Sequence, residues 1–112
     1  MISPFLAPIF LVVGFAIPME ADISYYCDCR QCNGIYAGTP TASGTMPQEG
    51  RTVAMDKRFP FGTEIIIGDT VYVVEDRGGA IKGNKIDIFV SDHQTALENG
   101  RHSETVYIKI AP

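Results

Sequence analysis

From Thr52 to Phe89 short β-branched and apolar runs alternate with glycine-marked turns, a punctuation that leaves no room for long helices. Thr52 to Met55 is one such run. Thr63 to Ile67 and Thr70 to Glu75 are two more, separated by Gly68-Asp69, the two residues of a tight hairpin. Gly78-Gly79 and Gly83-Asn84 bracket a further connection before Lys85 to Phe89. A β-prone stretch, Ile23 to Tyr26, comes earlier. Thr105 to Ile110 closes the chain, with Val106, Ile108 and Ile110 on one face and Tyr107 and Lys109 on the other. One helix is expected. It starts near Ser91, which forms a capping box with Gln94, and stops at Asn99-Gly100. Gly34 to Gly50 reads as loop, with at most a short strand around Thr41-Ala42. The expected fold is all-β, a small barrel with one short helix.

A chain of 112 residues holds one domain. Its net charge of -4 argues against nucleic acid as a partner, because phosphate backbones need a basic face. From Phe5 to Ile17 almost every residue is apolar, and no Lys or Arg precedes Arg30. That run is shorter than the roughly 20 residues of a membrane helix and suits the apolar region of an export signal. Glu20-Ala21-Asp22 puts a small residue at a cleavage point. The division expected is therefore a signal peptide or apolar anchor over 1–21 and a folded domain over 22–112, exported and open to membrane attachment. The absence of a basic start, together with Pro4, Pro8 and Pro18, also fits an apolar strand or arm of the domain.

The densest chemical signal lies between Val73 and Phe89, where Asp76 ends one strand and Asp87 interrupts the next. A period of two sets Asp87 on the face opposite Ile86 and Ile88. On a cleft wall its carboxyl is partly desolvated and its pKa rises, as a general acid requires; on an open face it is merely solvated. Gly78 and Gly79 permit positive φ and close approach of backbone N–H groups to a ligand, or simply a tight hairpin. The stretch lacks the spacing of a phosphate loop. Cys27, Cys29 and Cys32 form a C-x-C-x-x-C cluster. Three thiolates begin a zinc site, with Asp28, His93 or His102 as a fourth ligand, but a disulfide or free thiols is the reading preferred here. His93 is expected to be solvated and His102 to lie in the loop before the last strand. No serine, histidine and aspartate arrangement suggests a triad.

Five strings occur in order: Thr41-Ala42-Ser43-Gly44, Thr52-Val53-Ala54-Met55-Asp56, Phe61-Gly62-Thr63, Glu75-Asp76-Arg77-Gly78-Gly79-Ala80-Ile81-Lys82-Gly83 and Lys85-Ile86-Asp87-Ile88-Phe89. Together they closely resemble the three-aspartate (3D) domain family, whose aspartates match Asp56, Asp76 and Asp87. That domain is the catalytic barrel of MltA-type lytic transglycosylases and of small muralytic proteins of Gram-positive bacteria and phages. The resemblance spans Ile23 to Ile110. It implies a six-stranded double-psi β-barrel that cleaves the β-1,4 bond between N-acetylmuramic acid and N-acetylglucosamine, without cofactor or metal.

By the same resemblance Asp87 acts as acid and then base, with Asp76 beside it. Thr41, Ser43, Asp56, Gly78, Gly79 and Lys82 bind substrate, although Asp56 equally suits a structural duty. The partner implied is the peptidoglycan glycan strand, whose acidic peptide stems suit Lys57, Arg58, Arg77, Lys82 and Lys85. Tyr25, Tyr26, Tyr36 and Tyr72 either stack on sugar rings or pack. The family often carries a further cysteine where this chain has Asn33, which undercuts a simple disulfide scheme. A glycan-binding barrel without turnover, a hydrolysing muramidase and a homodimeric assembly role are the alternatives.

Overall fold

The computed structural model describes residues 16–112; the apolar stretch from Phe5 and the expected leader, up to position 15, lie outside the described residues. The strands are β1 (Ile17–Tyr26), β2 (Thr52–Ala54), β3 (Glu64–Ile67), β4 (Thr70–Asp76), β5 (Lys85–Phe89) and β6 (His102–Lys109). They close into a barrel in the order β1-β5-β2-β4-β3-β6, with β1/β5 and β2/β4 parallel and the remaining pairs antiparallel. Closure gives each described strand a partner on both sides.

Alternation along each strand builds the interior. Ala21, Ile23, Val53, Ile65, Val74, Ile86, Ile88, Val106 and Ile108 point inward, and Met55 and Phe59 complete the cluster, none of them more than 7% exposed. Each large member contributes roughly 1.5–3 kcal/mol through removal of apolar surface from water. The outer face of β1, β5 and β2 carries a second, smaller cluster, in which the Tyr26 and Phe89 rings meet edge-on at 5.5 Å beside Ala54 and Cys32. This outer cluster floors the candidate site.

Several boundaries differ from those read in the sequence. β1 begins at Ile17 rather than Ile23, because Ile17 to Ile23 find partners along β6. Met19, Ala21 and Ile23 pack inward while Pro18, Glu20 and Asp22 are exposed. β6 ends at Lys109, so Ile110 lies outside the strand and is exposed, unlike Val106 and Ile108. Thr41-Ala42 forms no strand. The cysteine-rich loop winds into a one-turn helix, α1 (Arg30–Asn33), followed by a 3₁₀ turn over Gly34–Tyr36.

The expected helix is present as α2 (His93–Asn99), but its N-cap is Asp92, not Ser91. The Asp92 carboxylate accepts from the Thr95 N–H at 3.0 Å and the Thr95 hydroxyl at 3.1 Å. Ser91 instead donates to Glu49 from its backbone and its hydroxyl. Gly100 ends the helix with φ 63°, as the Asn99-Gly100 signal requires. Positive φ at Gly68 and not at Asp69 gives the β3–β4 hairpin the type II′ turn that matches strand twist.

Candidate active site

Asp76 and Asp87 come together through β2. Parallel pairing opposes Ala54 to Asp76 of β4, and antiparallel pairing opposes the same Ala54 to Asp87 of β5. A register shift after Val53 skips Glu75, and Glu75 turns its carboxylate away to a buried Thr52 hydroxyl at 2.7 Å and to Arg51 at 3.1 Å. Asp76 is thereby free to face the cleft. Ala54 has the small side chain that lets both carboxyls share one floor.

That floor belongs to a cleft of about 680 Å³, within the size range of small-molecule sites. Tyr36, Thr39, Pro40, Thr41 and Ala42 form one wall, and Gly78 to Lys82 form the other. Of the residues singled out in the sequence, Asp76, Asp87, Thr41, Gly78, Gly79 and Lys82 line it. Ser43 does not; its hydroxyl bridges Thr41 and Thr45 at 3.0 and 3.3 Å. Nor does Asp56, which accepts the Gly83 N–H at 2.8 Å and so ties the β2–β3 connection to the glycine-rich wall. The Gly83 bond, followed by the Arg58 N–H and then the charges of Arg58 and Lys82, outweighs desolvation and holds its carboxyl below the usual range. Gly83, which follows this wall, has a left-handed backbone at φ 64°.

Gly78 and Gly79 have no positive φ, so the conformational reading of that pair is corrected. A Cβ on Gly78 would come within 2.8 Å of the Ile81 side chain, whereas one on Gly79 would meet nothing. The Gly-Gly pair is a matter of space. At Gly78 the missing side chain admits Ile81, whereas Gly79 lines the cleft at a point where a Cβ would meet no neighbour.

The two carboxyls differ in their surroundings. Asp76 accepts three hydrogen bonds: from the Tyr26 hydroxyl at 2.8 Å, the Ala42 N–H at 3.0 Å and the Arg77 N–H at 2.9 Å. Among the described residues Asp87 accepts one, from the Ser24 hydroxyl at 2.9 Å. Burial pushes the Asp87 pKa up, and the Asp76 charge adds to the rise. The Ser24 bond and the Arg101 charge oppose it. The cation felt by Asp87 is Arg101, on the loop before β6, while the charge of Lys82 is felt at Asp56. Arg77 turns away from the carboxyls to the Met55 and Phe59 carbonyls, with its guanidinium 4.0 Å over the Phe61 ring. Tyr26 is held neutral by burial and by its bond to Asp76.

Ser24 is a site residue that sequence reasoning missed, Arg101 acts on Asp87 only as a charge from outside the cleft lining, and Tyr26 both packs on Phe89 and donates its hydroxyl to Asp76. The available signal was the two-residue spacing of Ser24 and Tyr26, which sets both on one face of β1. Its meaning depends on the parallel pairing of Ser24 with Asp87 across 63 positions. Of the other tyrosines, Tyr36 is an exposed cleft residue, Tyr25 stacks on His102, and Tyr72 packs against the core.

The cysteines take the second of the two forms expected of them, and it is His93 that differs from expectation. Cys27, Cys29 and Cys32 are free thiols, and the ring of His93 turns in among them instead of into solvent. Asp28, another candidate ligand, is occupied with the Asn33 amide and the Gly38 N–H. His102 lies at the start of β6 and pairs with Glu104 at 2.7 Å.

Comparison with known proteins adds the family. The chain is 33% identical over 92 residues to the putative cell wall shaping protein YabE of Bacillus subtilis (strain 168), a match covering 78% of this chain and 21% of YabE. Among solved structures, E. coli MltA superposes with a TM-score of 0.53 at 26% identity, over 69% of this chain and 29% of MltA. MltA with bound chitohexaose gives 0.52 at 25% identity, over 69% and 29% of the two chains. A further MltA structure, described as a unique lytic transglycosylase fold, gives 0.51 at 27% identity over 64% and 28%. The chain thus spans less than a third of each of these proteins. The sequence profile of the 3D domain matches residues 51–110, more than half of the chain, and this protein belongs to that family.

Proposed function

We propose that this protein is a peptidoglycan lytic transglycosylase, cleaving the bond between N-acetylmuramic acid and N-acetylglucosamine and leaving a 1,6-anhydro end. The observation that carries the reading is the asymmetry of the two carboxyls on one cleft floor. Asp87 is half-buried, singly hydrogen-bonded and raised in pKa, whereas Asp76 is held by three donors. A glycosidase that uses water needs two carboxyls with separate duties. Intramolecular attack needs one.

In the proposed reaction Asp87 gives its proton to the glycosidic oxygen as the bond to the muramic anomeric carbon breaks. The C6 oxygen of the same muramic acid then bonds to that carbon, and its proton goes to the Asp87 carboxylate. Asp87 is thereby reset and no water is consumed. Asp76 is a positioning residue, and its negative charge disfavours early ionisation of Asp87. Thr41 and the open backbone at Gly79 would bind the glycan along the walls, and exposed Lys82 would meet its acidic stems. Such an activity requires export to the cell wall. E. coli MltA, similar in fold and described as a lytic transglycosylase, supports the same reading.

Mass spectrometry of fragments released from peptidoglycan, beside an Asp87→Asn control, tests it. Products ending in 1,6-anhydromuramic acid are expected from the parent chain, with the control slower by about 10²–10⁴-fold, the usual contribution of a positioned acid. Reducing muramic ends would make it a hydrolase. Sacculus binding with no fragments would make it a binding barrel.

A further inference from the structure

The cysteine cluster is not used by the proposed reaction, and its geometry calls for an occupant. The His93 Nδ1 lies 3.5 Å from Cys27 Sγ and 3.3 Å from both Cys29 Sγ and Cys32 Sγ. Cys27 Sγ is in turn 2.9 Å from Cys29 Sγ and 3.3 Å from Cys32 Sγ. All four ligand atoms lie within 4.8 Å of one another. They arrive from three elements. Cys27 follows β1, Cys29 and Cys32 flank and enter α1, and His93 opens α2, more than 60 positions along the chain. Convergence of a remote histidine on three local cysteines is not produced by local helix geometry.

We propose that Cys27, Cys29, Cys32 and His93 bind one zinc ion in a closed, structural site. Three sulfurs and one imidazole nitrogen form a donor set that zinc takes tetrahedrally, with bonds of about 2.3 Å to sulfur and about 2.0–2.1 Å to nitrogen. Ligand atoms at those radii stand roughly 3.5–3.8 Å apart. The His93 spacings of 3.3–3.5 Å match that to within about 0.2 Å, whereas the Cys27–Cys32 pair at 3.3 Å and the Cys27–Cys29 pair at 2.9 Å open by roughly 0.5 and 0.9 Å as the thiols turn around the ion. All four positions are filled by the protein and none is left for water or substrate, which marks the ion as structural. Its position explains what it stabilises. Cys32 also lines the cleft and packs against the Tyr26, Ala54 and Phe89 cluster. The ion therefore fastens the cleft wall around α1 and the 3₁₀ turn to the barrel and to α2. That wall otherwise lacks strand pairing and depends on single hydrogen bonds such as Gly38 to Asp28 and Ala42 to Asp76.

The test needs no activity. The full chain, purified under reducing conditions with its thiols counted, is measured for zinc by elemental analysis and titrated with Co²⁺. One zinc per chain is expected. Cobalt should give a tetrahedral visible spectrum and a thiolate charge-transfer band of three-sulfur intensity. His93→Cys should keep the metal and raise that band towards four sulfurs, whereas His93→Ala should weaken metal binding by at least tenfold. Chelation should speed proteolysis within residues 34–47 and leave the barrel intact. A fully reduced, folded chain that takes up no zinc or cobalt would overturn the proposal. So would a cobalt spectrum indifferent to both His93 variants.

Discussion

Asp87 sits at a cost. Burial disfavours its ionised form, so the folded chain holds this proton more tightly than the unfolded chain, whose carboxyl titrates near about 4. The linkage sign follows. The folded state binds more protons between the unfolded and the raised folded pKa, so the Asp87 contribution to stability falls as pH rises through that window. Asp87→Asn removes the buried charge while retaining an acceptor for Ser24. It should raise the melting temperature at pH 7, and the gain should disappear at about pH 3, where both states are protonated. A variant less stable than the parent at pH 7 would show that the Ser24 bond and Arg101 outweigh burial. Asp56 has the opposite sign. Its lowered pKa stabilises the fold above the ordinary carboxylate range and loses that effect as pH falls, so Asp56→Ala should lower the melting temperature more at pH 7 than at pH 3.

The motif strings made Asp56, Asp76 and Asp87 visible before any fold was known, and period-two alternation assigned Asp87 to the face away from Ile86 and Ile88. Ser24 and Arg101 carry no local signature, because each acquires its meaning from a partner brought near by the fold.

Strands and turns were legible where a local rule decides them. β5 and the Gly68-Asp69 hairpin came out at the expected positions, since alternation and turn chemistry act over a few residues. The first half of β1 and the α2 cap did not. Pairing with β6 decided the one, and competition between Ser91 and Asp92 for the cap decided the other. β2 is the element on which the site depends most. It is three residues long, buried along its length, and bonded to both carboxyl-bearing strands. Ala54→Leu should keep the barrel, lower stability by about 1–3 kcal/mol through overpacking against Tyr26 and Phe89, and reduce turnover more than Tyr26→Phe does. Denaturant midpoints and product formation measure the two effects. Turnover equal to the parent would mean that the spacing of Asp76 and Asp87 across Ala54 does not matter.

Closure of the barrel ties the beginning of the described chain to its end, because β1 pairs with β5 along one edge and with β6 along the other. Residues 17–21 supply the β6 pairing from Ile17 opposite Ile108 to Ala21 opposite Glu104. They also bring Ala21, 1% exposed, and half-buried Met19 into the core. Cleavage after Ala21, the point suggested by Glu20-Ala21-Asp22, would remove all of these and leave part of β6 as a free edge. A chain starting at Asp22 should therefore be less stable than one starting at Ala16 by on the order of 3 kcal/mol, from lost burial and strand hydrogen bonds. It should also self-associate through the exposed β6 edge. Urea unfolding with sedimentation of both chains measures this. The same reasoning yields a prediction for the export proposed above: any processed, folded form should have its N-terminus before Ile17. Terminal sequencing of secreted material tests that, and a stable, monomeric product beginning at Asp22 would mean that the barrel closes without the first half of β1.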